Sequence, residues 1–312
     1  MNAAVDFPAL STINGYSQID IEHNAELNAL FSWMQPEPRP CFTPKMLDEF
    51  EQSEKLLELH QGHINDKGAP ARIDHVVFAS RTPGVFNLGG DLNMFIQAIM
   101  RRDRASIQHY ARLCVDLIYR RYSGFGANIT TIALIQGKAL GGGFECALAC
   151  DLIVAERSST FSFPESLFSL FPGMGALSFL TRKVGLAKAE KICSTADVFS
   201  ADEMCELGVV DRVVEDGLGL ETVKRMIVQR NRHGNTYRAL KAAKNFCQPV
   251  THEELINIVD VWTDAAMKLE TRDLRMMARL VKAQDRLSLS DATPEEFAIQ
   301  SMFENEAAVA NA

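Results

Sequence analysis

Two glutamates stand in otherwise apolar stretches of the sequence, each shortly after a predicted strand. Glu145 follows the glycine run of KALGGGFECALAC, and Glu165 follows the apolar residues and proline of FSFPES. A carboxylate is costly to bury unless it is paired or used in chemistry, so both are candidates for acid–base catalysis. The alternative, from spacing alone, is that each stabilises a helix N-terminus, which is worth about 0.3 to 1 kcal/mol.

Two glycine-bearing loops accompany these glutamates. Gly89 and Gly90 come after the apolar run DHVVFAS, and residues 141–143 come after ITTIALIQ. Glycine has no Cβ, so such loops can direct bare N–H groups toward one ligand atom. At the start of a helix these N–H groups lack intrahelical partners and suit an anion or an oxyanion.

The sequence lacks the motifs that bind nucleotide phosphates, which limits the anions that these loops could bind. It contains no GxxxxGK[ST], and GFGANI at Gly124 departs from GxGxxG at its last position, so a nucleotide phosphate is disfavoured. A carbonyl oxygen that becomes negative during a reaction fits better, and losing one donor to it costs about 2.7 to 4 kcal/mol. Glu145 is predicted in the first helical turn, where its side chain leans back toward that carbonyl.

The elements around these residues follow from periodicity. Strands are predicted in SQIDIEHNAELNALFSWM, DHVVFAS, ITTIALIQ, CDLIVAE and TFSFP, and two helices between Asp91 and about Tyr122. Thr43 followed by Pro44 predicts a helix start, whereas HINDKGAPAR is interpreted as a polar loop. Alternating strands and helices up to about Ser200 indicate an α/β fold with a largely parallel sheet.

Beyond Ser200 the pattern is mostly helical. Ser200 with Glu203, and Thr251 with Glu254, have the spacing of capping boxes. The second pair is predicted to open one long segment that reaches about Arg286.

Composition excludes several classes of protein. Of 312 residues, 47% are hydrophobic, and no apolar run approaches the roughly 18 to 20 residues of a membrane span. The net charge of −8 disfavours a nucleic-acid partner. The first residues lack the pattern of a targeting signal, so a cytoplasmic location is expected. Seven scattered cysteines are interpreted as reduced and mostly buried.

Other chemistry-bearing residues have ordinary interpretations. His60 and His63 lack carboxylate or cysteine partners nearby, so no metal is assigned. Cys146 and Cys150 are expected to be small buried thiols. The absence of GxSxG and SxxK gives no support for a serine nucleophile. A basic patch can either dock an acidic carrier protein or form a solvated helix face; it consists of Arg101, Arg102, Arg104 and Arg112.

Several ordered motifs together resemble the crotonase (enoyl-CoA hydratase/isomerase) superfamily. FNLGGDL resembles its first oxyanion loop, QGKALGGGFECALACDLIVA its second loop and helix, and FSFPESLFSLFPGMGALSFLTRKVG its second catalytic segment. SADEMCELGVVDRVV resembles the helix and strand that follow. The resemblance covers roughly residues 15–285 and implies a spiral of ββα units with a C-terminal helical region, acting on acyl thioesters without a cofactor.

The resemblance assigns roles to individual positions. It places the two oxyanion-hole N–H groups at Gly90 and Gly142, and the acid–base pair at Glu145 and Glu165. Predicted substrate contacts are Gly89, Leu140, Gly173, Met174, Trp262 and Leu280. Core packing is the alternative for the last three. It also implies a core with an N-terminal extension over residues 1–200, a helical region for trimerisation over 201–290 and a flexible tail over 291–312.

Within the superfamily, CFTPKMLDEF, the GGDL form of the first loop, FPGMGALSFL, VDVWTDAAM and RLVKAQDR resemble bacterial diffusible-signal-factor synthases. That resemblance implies dehydration of a 3-hydroxyacyl group on acyl carrier protein, then thioester hydrolysis to release a cis-2-unsaturated fatty acid for quorum sensing. The alternatives are a CoA-dependent enoyl hydratase or isomerase, and a crotonase scaffold that binds a sensor kinase. A homotrimer or hexamer is expected.

Overall fold

The computed structural model describes residues 7–8 and 15–289, so the predicted tail at 291–312 lies outside the described residues. The strands are β1 Ile19–Asn24, β2 Ala29–Met34, β3 His63–Asp66, β4 Ala69–Arg72, β5 His75–Ser80, β6 Val85–Asn87, β7 Thr130–Ile135, β8 Lys138–Leu140, β9 Leu152–Glu156, β10 Thr160–Ser162, β11 Phe199–Ser200 and β12 Arg212–Val214. The helices are α1 Pro44–Leu59, α2 Leu92–Met100, α3 Arg104–Tyr122, α4 Gly142–Leu148, α5 Ala176–Val184, α6 Leu186–Ser194, α7 Ala201–Glu206, α8 Gly219–Arg232, α9 Gly234–Cys247, α10 His252–Ala266 and α11 Thr271–Leu289. Two short segments are a turn at Gly124–Asn128, in which Phe125 and Gly126 have positive φ, and a 3-10 helix at Pro164–Phe168.

The predicted apolar strands form the middle of the larger sheet. Its strand order within the described residues is β1-β2-β5-β7-β9-β12, and every neighbouring pair except β1 and β2 is parallel. β5 and β7 are buried along almost their whole length. Continuous β-branched runs suit strands that are covered on both faces, so these predictions are confirmed.

A second, smaller sheet has the order β11-β10-β8-β6 among the described strands, and β6, β8 and β10 are parallel. Each of these short strands directly follows a strand of the larger sheet, because β5 leads to β6, β7 to β8 and β9 to β10. A helical segment comes next in each case. The predicted α/β crotonase architecture of ββα units with C-terminal helices is therefore confirmed.

β8 corrects one detail of the sequence interpretation. The strand ITTIALIQ was expected to lead straight into the glycines, but the chain turns at Gly137, with φ of 116°, and crosses to the smaller sheet. A Cβ on Gly137 would lie 2.0 Å from the carbonyl oxygen of Gly84. The glycines therefore follow β8, and the carboxyl ends of three adjacent parallel strands meet at one edge of the small sheet.

The predicted polar loop HINDKGAPAR is wrong, because these residues form the antiparallel hairpin of β3 and β4. Lys67 and Gly68 connect the strands with φ of 51° and 86°. Positive φ at both central residues matches the right-handed twist of a hairpin. Lysine at the first of these positions does not give the Asn-Gly or Asp-Gly signal by which such turns are found in a sequence.

The helical C-terminal region is confirmed, with one complete capping box and two corrections. Ser200 and Glu203 form both reciprocal bonds of the box. Thr251 caps α10, but the carboxylate of Glu254 binds Arg182 at 2.9 and 2.8 Å instead. The predicted continuous segment is wrong, because α10 ends at Ala266 and Asp273 accepts the N–H of Glu270 where α11 starts.

A buried ion pair ties the helices to the larger sheet. Arg121 of α3 donates from Nε to Oε1 of Glu54 on α1 at 2.8 Å, and both side chains are at most 4% exposed. The guanidinium also lies 4.4 Å from the ring centres of Phe50 and Phe78. Removing one partner of such a pair leaves an uncompensated buried charge.

Replacing Arg121 with methionine is expected to lower the free energy of unfolding by about 3 to 5 kcal/mol, because Glu54 is left buried and unpaired. The double variant Arg121→Met/Glu54→Leu is expected to recover much of that loss. Urea unfolding followed by circular dichroism measures both. A double variant as unstable as the single one would contradict this account.

Candidate active site

The backbone of the loop after β6 is fixed by a hydrogen bond to a buried side chain. Asn87 is fully buried, and its Oδ1 accepts the N–H of Gly89 at 2.8 Å. The carbonyl of Gly89 accepts the N–H of Phe42 at 2.8 Å. These two bonds fix the peptide before Gly90 and leave the Gly90 N–H directed elsewhere.

The loop after β8 meets the first loop at the start of α4. A Cβ on Gly142 would lie 3.6 Å from the nitrogen of Gly90, so the two residues are neighbours. Gly89 has φ of 96°, and a Cβ there would lie 3.0 Å from the nitrogen of Gly142. Within residues 15–289 no protein acceptor takes the N–H of Gly90 or Gly142. The pair is available to a ligand oxygen.

Glu145 lies in the first turn of α4, as predicted, and is 2% exposed. Its Oε1 accepts two backbone N–H groups, from Met174 at 2.8 Å and from Ala176 at 3.0 Å. Burial raises the pKa of this carboxyl to about 7, although the two hydrogen bonds favour the ionised form and oppose the rise. The carboxyl is therefore oriented and poised to titrate near neutral pH.

Glu165 lies in the first turn of the 3-10 helix that follows β10, also as predicted. The residue keeps some exposed surface, but its Oε2 atom is buried and has no hydrogen-bond partner in the described part of the chain. Burial, and then the nearby charge of Glu145, raise the pKa of its carboxyl to about 8. Only a hydrogen bond from its own backbone N–H opposes this rise, so Glu165 holds its proton to higher pH than Glu145.

Both glutamates and both predicted oxyanion-hole glycines line one cavity, referred to below as the catalytic cavity. The predicted contact residues Gly173, Met174 and Trp262 line it too. Leu140 and Leu280 instead line an adjoining cavity that shares Gly90 and Glu165 with it. Gly89 lines neither cavity, and it lies beneath the Gly142 N–H.

Trp262 serves the cavity and the core together. It is 3% exposed and lies edge-on to Phe95, with ring centres 5.4 Å apart. A Cβ on Gly173 would lie 2.3 Å from the indole, so the loop that donates to Glu145 packs directly against the ring. Trp262 therefore both lines the cavity and packs in the core, and its contact with substrate stays a prediction.

The comparisons with known proteins agree with this arrangement. A family model for enoyl-CoA hydratase/isomerase matches residues 33–277. The chain belongs to the enoyl-CoA hydratase/isomerase family. The enoyl-CoA isomerase/hydratase fer4 of Mycosarcoma maydis is 34% identical over 268 residues, which cover 85% of this chain and 93% of that protein.

Two further similarities are limited, one by the length that it covers and the other by its low sequence identity. A probable mitochondrial enoyl-CoA hydratase 2 of Arabidopsis thaliana is 31% identical over 213 residues, 68% of this chain and 64% of that protein. The chain spans between half and two thirds of the length of this and two other curated relatives. The structure of Pseudomonas aeruginosa DspI has a TM-score of 0.63 at 24% identity, covering 83% of this chain and 98% of that chain, and supports the shared fold.

The sequence did not reveal the contacts that hold this site in place. Met174 and Ala176 donate to Glu145 through backbone N–H groups, which no side-chain pattern reveals. Asn87 lies two residues before Gly89, and an asparagine at that position in an apolar stretch could have indicated a side chain that binds the loop backbone. Gly141, with φ of 50°, packs its Cα against Glu165, because a Cβ there would lie 2.5 Å from Oε1.

The basic patch is partly neutralised within the molecule. Arg104 pairs with Asp264 at 2.7 Å, and Arg112 pairs with Asp260 at 2.8 Å, both on α10. Arg101 is an exposed residue at the end of α2. The patch is thus mostly an interhelical contact between α3 and α10, which favours the solvated-face interpretation.

The remaining predicted features do not line the catalytic cavity. His63 is in β3, and its Nδ1 lies 3.2 Å from the carbonyl oxygen of His60. No group of three or more potential metal ligands occurs among the described residues. Cys146 and Cys150 are buried, as predicted. None of the helices in the described part of the chain is long and apolar enough to span a membrane.

Replacing Glu145 with glutamine is expected to lower the pKa of Glu165 from about 8, because a nearby negative charge that disfavours its ionisation is removed. The pKa should stay above the usual value of about 4.3, since burial persists. Carboxyl-carbon NMR titration measures the change. Glu203→Gln, at the exposed cap of α7, is the control and should leave the pKa of Glu165 unaltered. An unmoved Glu165 in the first variant would show that the two carboxyls do not interact.

Proposed function

We propose that this protein is a diffusible-signal-factor synthase, which dehydrates a 3-hydroxyacyl thioester on acyl carrier protein and hydrolyses the product to a free cis-2-unsaturated fatty acid. The observation that carries the proposal is the pair of buried carboxyls with raised pKa values beside two unpartnered backbone N–H groups. The family membership and the sequence motifs support an acyl thioester as the substrate.

The thioester carbonyl oxygen binds between the N–H groups of Gly90 and Gly142. Two donors at this position stabilise the negative charge that develops when the α-carbon loses a proton. Both donors belong to loops at strand ends, and the first loop is held by Asn87. Their positions therefore require no rearrangement when the charge appears.

The two glutamates have different resting states in this mechanism. Glu145 receives two backbone hydrogen bonds on Oε1 and acts as the carboxylate base that removes the α-proton. Glu165 has no donor on Oε2 and acts as the protonated acid. As the C2=C3 bond forms and the C3–O bond breaks, Glu165 gives its proton to the departing hydroxyl, which leaves as water.

Hydrolysis uses the same oxyanion-hole groups. Water orients against a glutamate carboxylate and its oxygen attacks the carbonyl carbon, while the N–H groups of Gly90 and Gly142 bind the tetrahedral oxyanion. The C–S bond then breaks, and the carrier thiol leaves with a proton. No side-chain nucleophile is needed for this step.

A second candidate function is CoA-dependent enoyl hydration or isomerisation. It is favoured by the curated relatives, which are enoyl-CoA hydratases and isomerases by name. The same pair of glutamates supports either reaction. The two candidates differ in the carrier and in whether a free acid is released. A sensor kinase as an additional partner remains a hypothesis from sequence resemblance.

We also propose that the helical region at 201–290 joins copies of the chain into a trimer. α9 has no buried residue, and Phe246 and Leu240 on it are 89% and 61% exposed. Val261 on α10 is 61% exposed as well. Exposed apolar side chains on two consecutive helices are typical of a surface that another subunit covers.

Wild-type protein is expected to convert 3-hydroxyacyl carrier protein to free cis-2-enoic acid, and Glu145→Gln and Glu165→Gln are each expected to lower that rate roughly 10²- to 10⁴-fold. Mass spectrometry of the reaction measures the enoyl thioester and the free acid separately. Parallel reactions use the 3-hydroxyacyl-CoA of the same chain. Accumulation of enoyl-CoA with no free acid from either carrier would replace the synthase proposal with the hydratase.

Gly141→Ala is expected to lower kcat about 100-fold, because its methyl group displaces the carboxyl of Glu165 and a shift near 1 Å costs about that much. Gly185→Ala is a matched control, since Gly185 has φ of 82° but open space where a Cβ would stand. Both variants strain the backbone, and only the first crowds Glu165. Equal losses of kcat in the two variants would attribute the effect to backbone strain alone.

A further inference from the structure

The direction of the Gly90 N–H depends on the peptide groups on both sides of that residue. Phe42 fixes the first of them, because its N–H donates to the carbonyl of Gly89 at 2.8 Å. The second peptide joins Gly90 to Asp91, and the N–H of Asp91 donates to the hydroxyl of Tyr110 at 3.2 Å. A side chain on α3 therefore binds the backbone directly after the predicted oxyanion-hole residue.

The same hydroxyl also binds the segment that runs beside this loop. It donates to the carbonyl of Phe42, which forms an isolated parallel bridge with Gly90. One turn of chain earlier, the N–H of Leu88 donates to the carbonyl of Pro40 at 2.8 Å. A hydroxyl can donate and accept at once, so the phenol of Tyr110 joins the two segments of the bridge at the position of Gly90.

Two aromatic rings hold the loop and the hydroxyl together. Tyr110 is 3% exposed and lies edge-on to Phe95, with ring centres 5.0 Å apart. A Cβ on Gly90 would lie 2.8 Å from the ring of Phe95 and 3.7 Å from the hydroxyl oxygen of Tyr110. The absence of a side chain at Gly90 thus lets the loop pack directly against both residues.

Tyr110 keeps its proton at the pH at which the two glutamates titrate. Burial raises the pKa of its phenol well above the ordinary value, whereas the carboxyls of Glu145 and Glu165 have pKa values of about 7 and about 8. Tyr110 does not line the catalytic cavity, in contrast to Gly90. Any influence of this phenol on the reaction therefore passes through the backbone that it binds.

We propose that Tyr110 is a positioning residue for the oxyanion hole, and that its hydroxyl sets the direction of the Gly90 N–H. This inference rests on the role of Gly90 in the proposed function. Asn87 binds the loop on one side of Gly90, through the N–H of Gly89, and Tyr110 binds it on the other side, through the N–H of Asp91. Donors that are fixed before the reaction need no reorganisation when negative charge develops.

The test removes the hydroxyl and keeps the ring. Tyr110→Phe does this, and Tyr122→Phe is the matched control, because Tyr122 lies on the same helix and its hydroxyl accepts the backbone N–H of Val250 at 3.2 Å. Tyr122 does not line the catalytic cavity. Circular dichroism checks that both variants fold. If Tyr110→Phe does not fold, 4-fluorophenylalanine at position 110 replaces it, because it keeps the shape of the phenol without a donor.

Tyr110→Phe is expected to lower kcat for 3-hydroxyacyl carrier protein roughly 10- to 100-fold, because a misdirected N–H stabilises the transition state less. KM should change little, since the lost interaction strengthens only as charge develops. Tyr122→Phe should keep the wild-type kcat. A wild-type kcat in Tyr110→Phe, or an equal loss in the control, overturns the proposal.

A second measurement needs no turnover. Its probe is a butanoyl pantetheine analogue in which an amide labelled with carbon-13 at the carbonyl replaces the thioester, so the probe has no hydroxyl to lose and no C–S bond to break. Infrared difference spectroscopy measures the carbonyl stretching frequency, which hydrogen bonds from the oxyanion hole lower. Binding to Tyr110→Phe should lower it less than binding to the wild type, and Tyr122→Phe should match the wild type.

The spectroscopic measurement separates this proposal from the proposed function. If no thioester is turned over but Tyr110→Phe alone loses part of the carbonyl shift, the synthase proposal fails and the positioning role stands. If thioesters are turned over and Tyr110→Phe keeps both the rate and the shift of the wild type, the reaction stands and Tyr110 only stabilises the fold. A carbonyl frequency that does not change on binding to the wild type overturns the role of Gly90 and the positioning role with it.

Discussion

The cost of burying two carboxyls side by side is the constraint on which the site depends. Both carboxyls have raised pKa values because water is excluded from them. The protein compensates Glu145 more than Glu165, by directing the N–H groups of Met174 and Ala176 at its Oε1. Glu165 receives no such donor on Oε2. This inequality gives two chemically identical side chains different proton affinities, which acid–base catalysis requires.

The fold both brings the two carboxyls close together and excludes water from them. β6, β8 and β10 are only three residues long, but they are adjacent and parallel, so their following loops converge without long connections. The Trp262 ring of α10 then packs on Gly173, in the loop that donates to Glu145. The C-terminal helices are thus part of the site, although their sequence carries no catalytic motif.

The sequence predicted the parts of the molecule that depend on local patterns. The apolar runs of β5 and β7, the glutamates in first helical turns and the glycine loops are all of this kind. β10 lies in the predicted strand TFSFP, but β6 and β8 of the small sheet were missed because three-residue strands have no measurable periodicity. The donors to Glu145 were missed because residues 174 and 176 are about thirty positions away and act through backbone. The division between α10 and α11 depends on Asp273 capping the N–H of Glu270, a contact that a broad helical pattern conceals.

The position of the proton before and after each step of the proposed reaction explains why one pair of carboxyls suits both dehydration and hydrolysis. Glu145 begins ionised and takes the α-proton, while Glu165 begins protonated and gives its proton to the leaving hydroxyl. Dehydration therefore leaves the pair with the same single proton on the opposite residue. Glu165 is then the carboxylate that receives a proton from the attacking water, and Glu145 is the acid that protonates the departing thiol.

Hydrolysis consequently returns each glutamate to its starting state. Dehydration alone would leave the pair reversed, and the 2%-exposed Glu145 would have to lose its proton to solvent before the next turnover. Coupling the two steps removes that exchange from the cycle. Where a buried pair of carboxyls exchanges protons slowly with solvent, hydrolysis is the more direct way to return Glu145 to its ionised form and Glu165 to its protonated form.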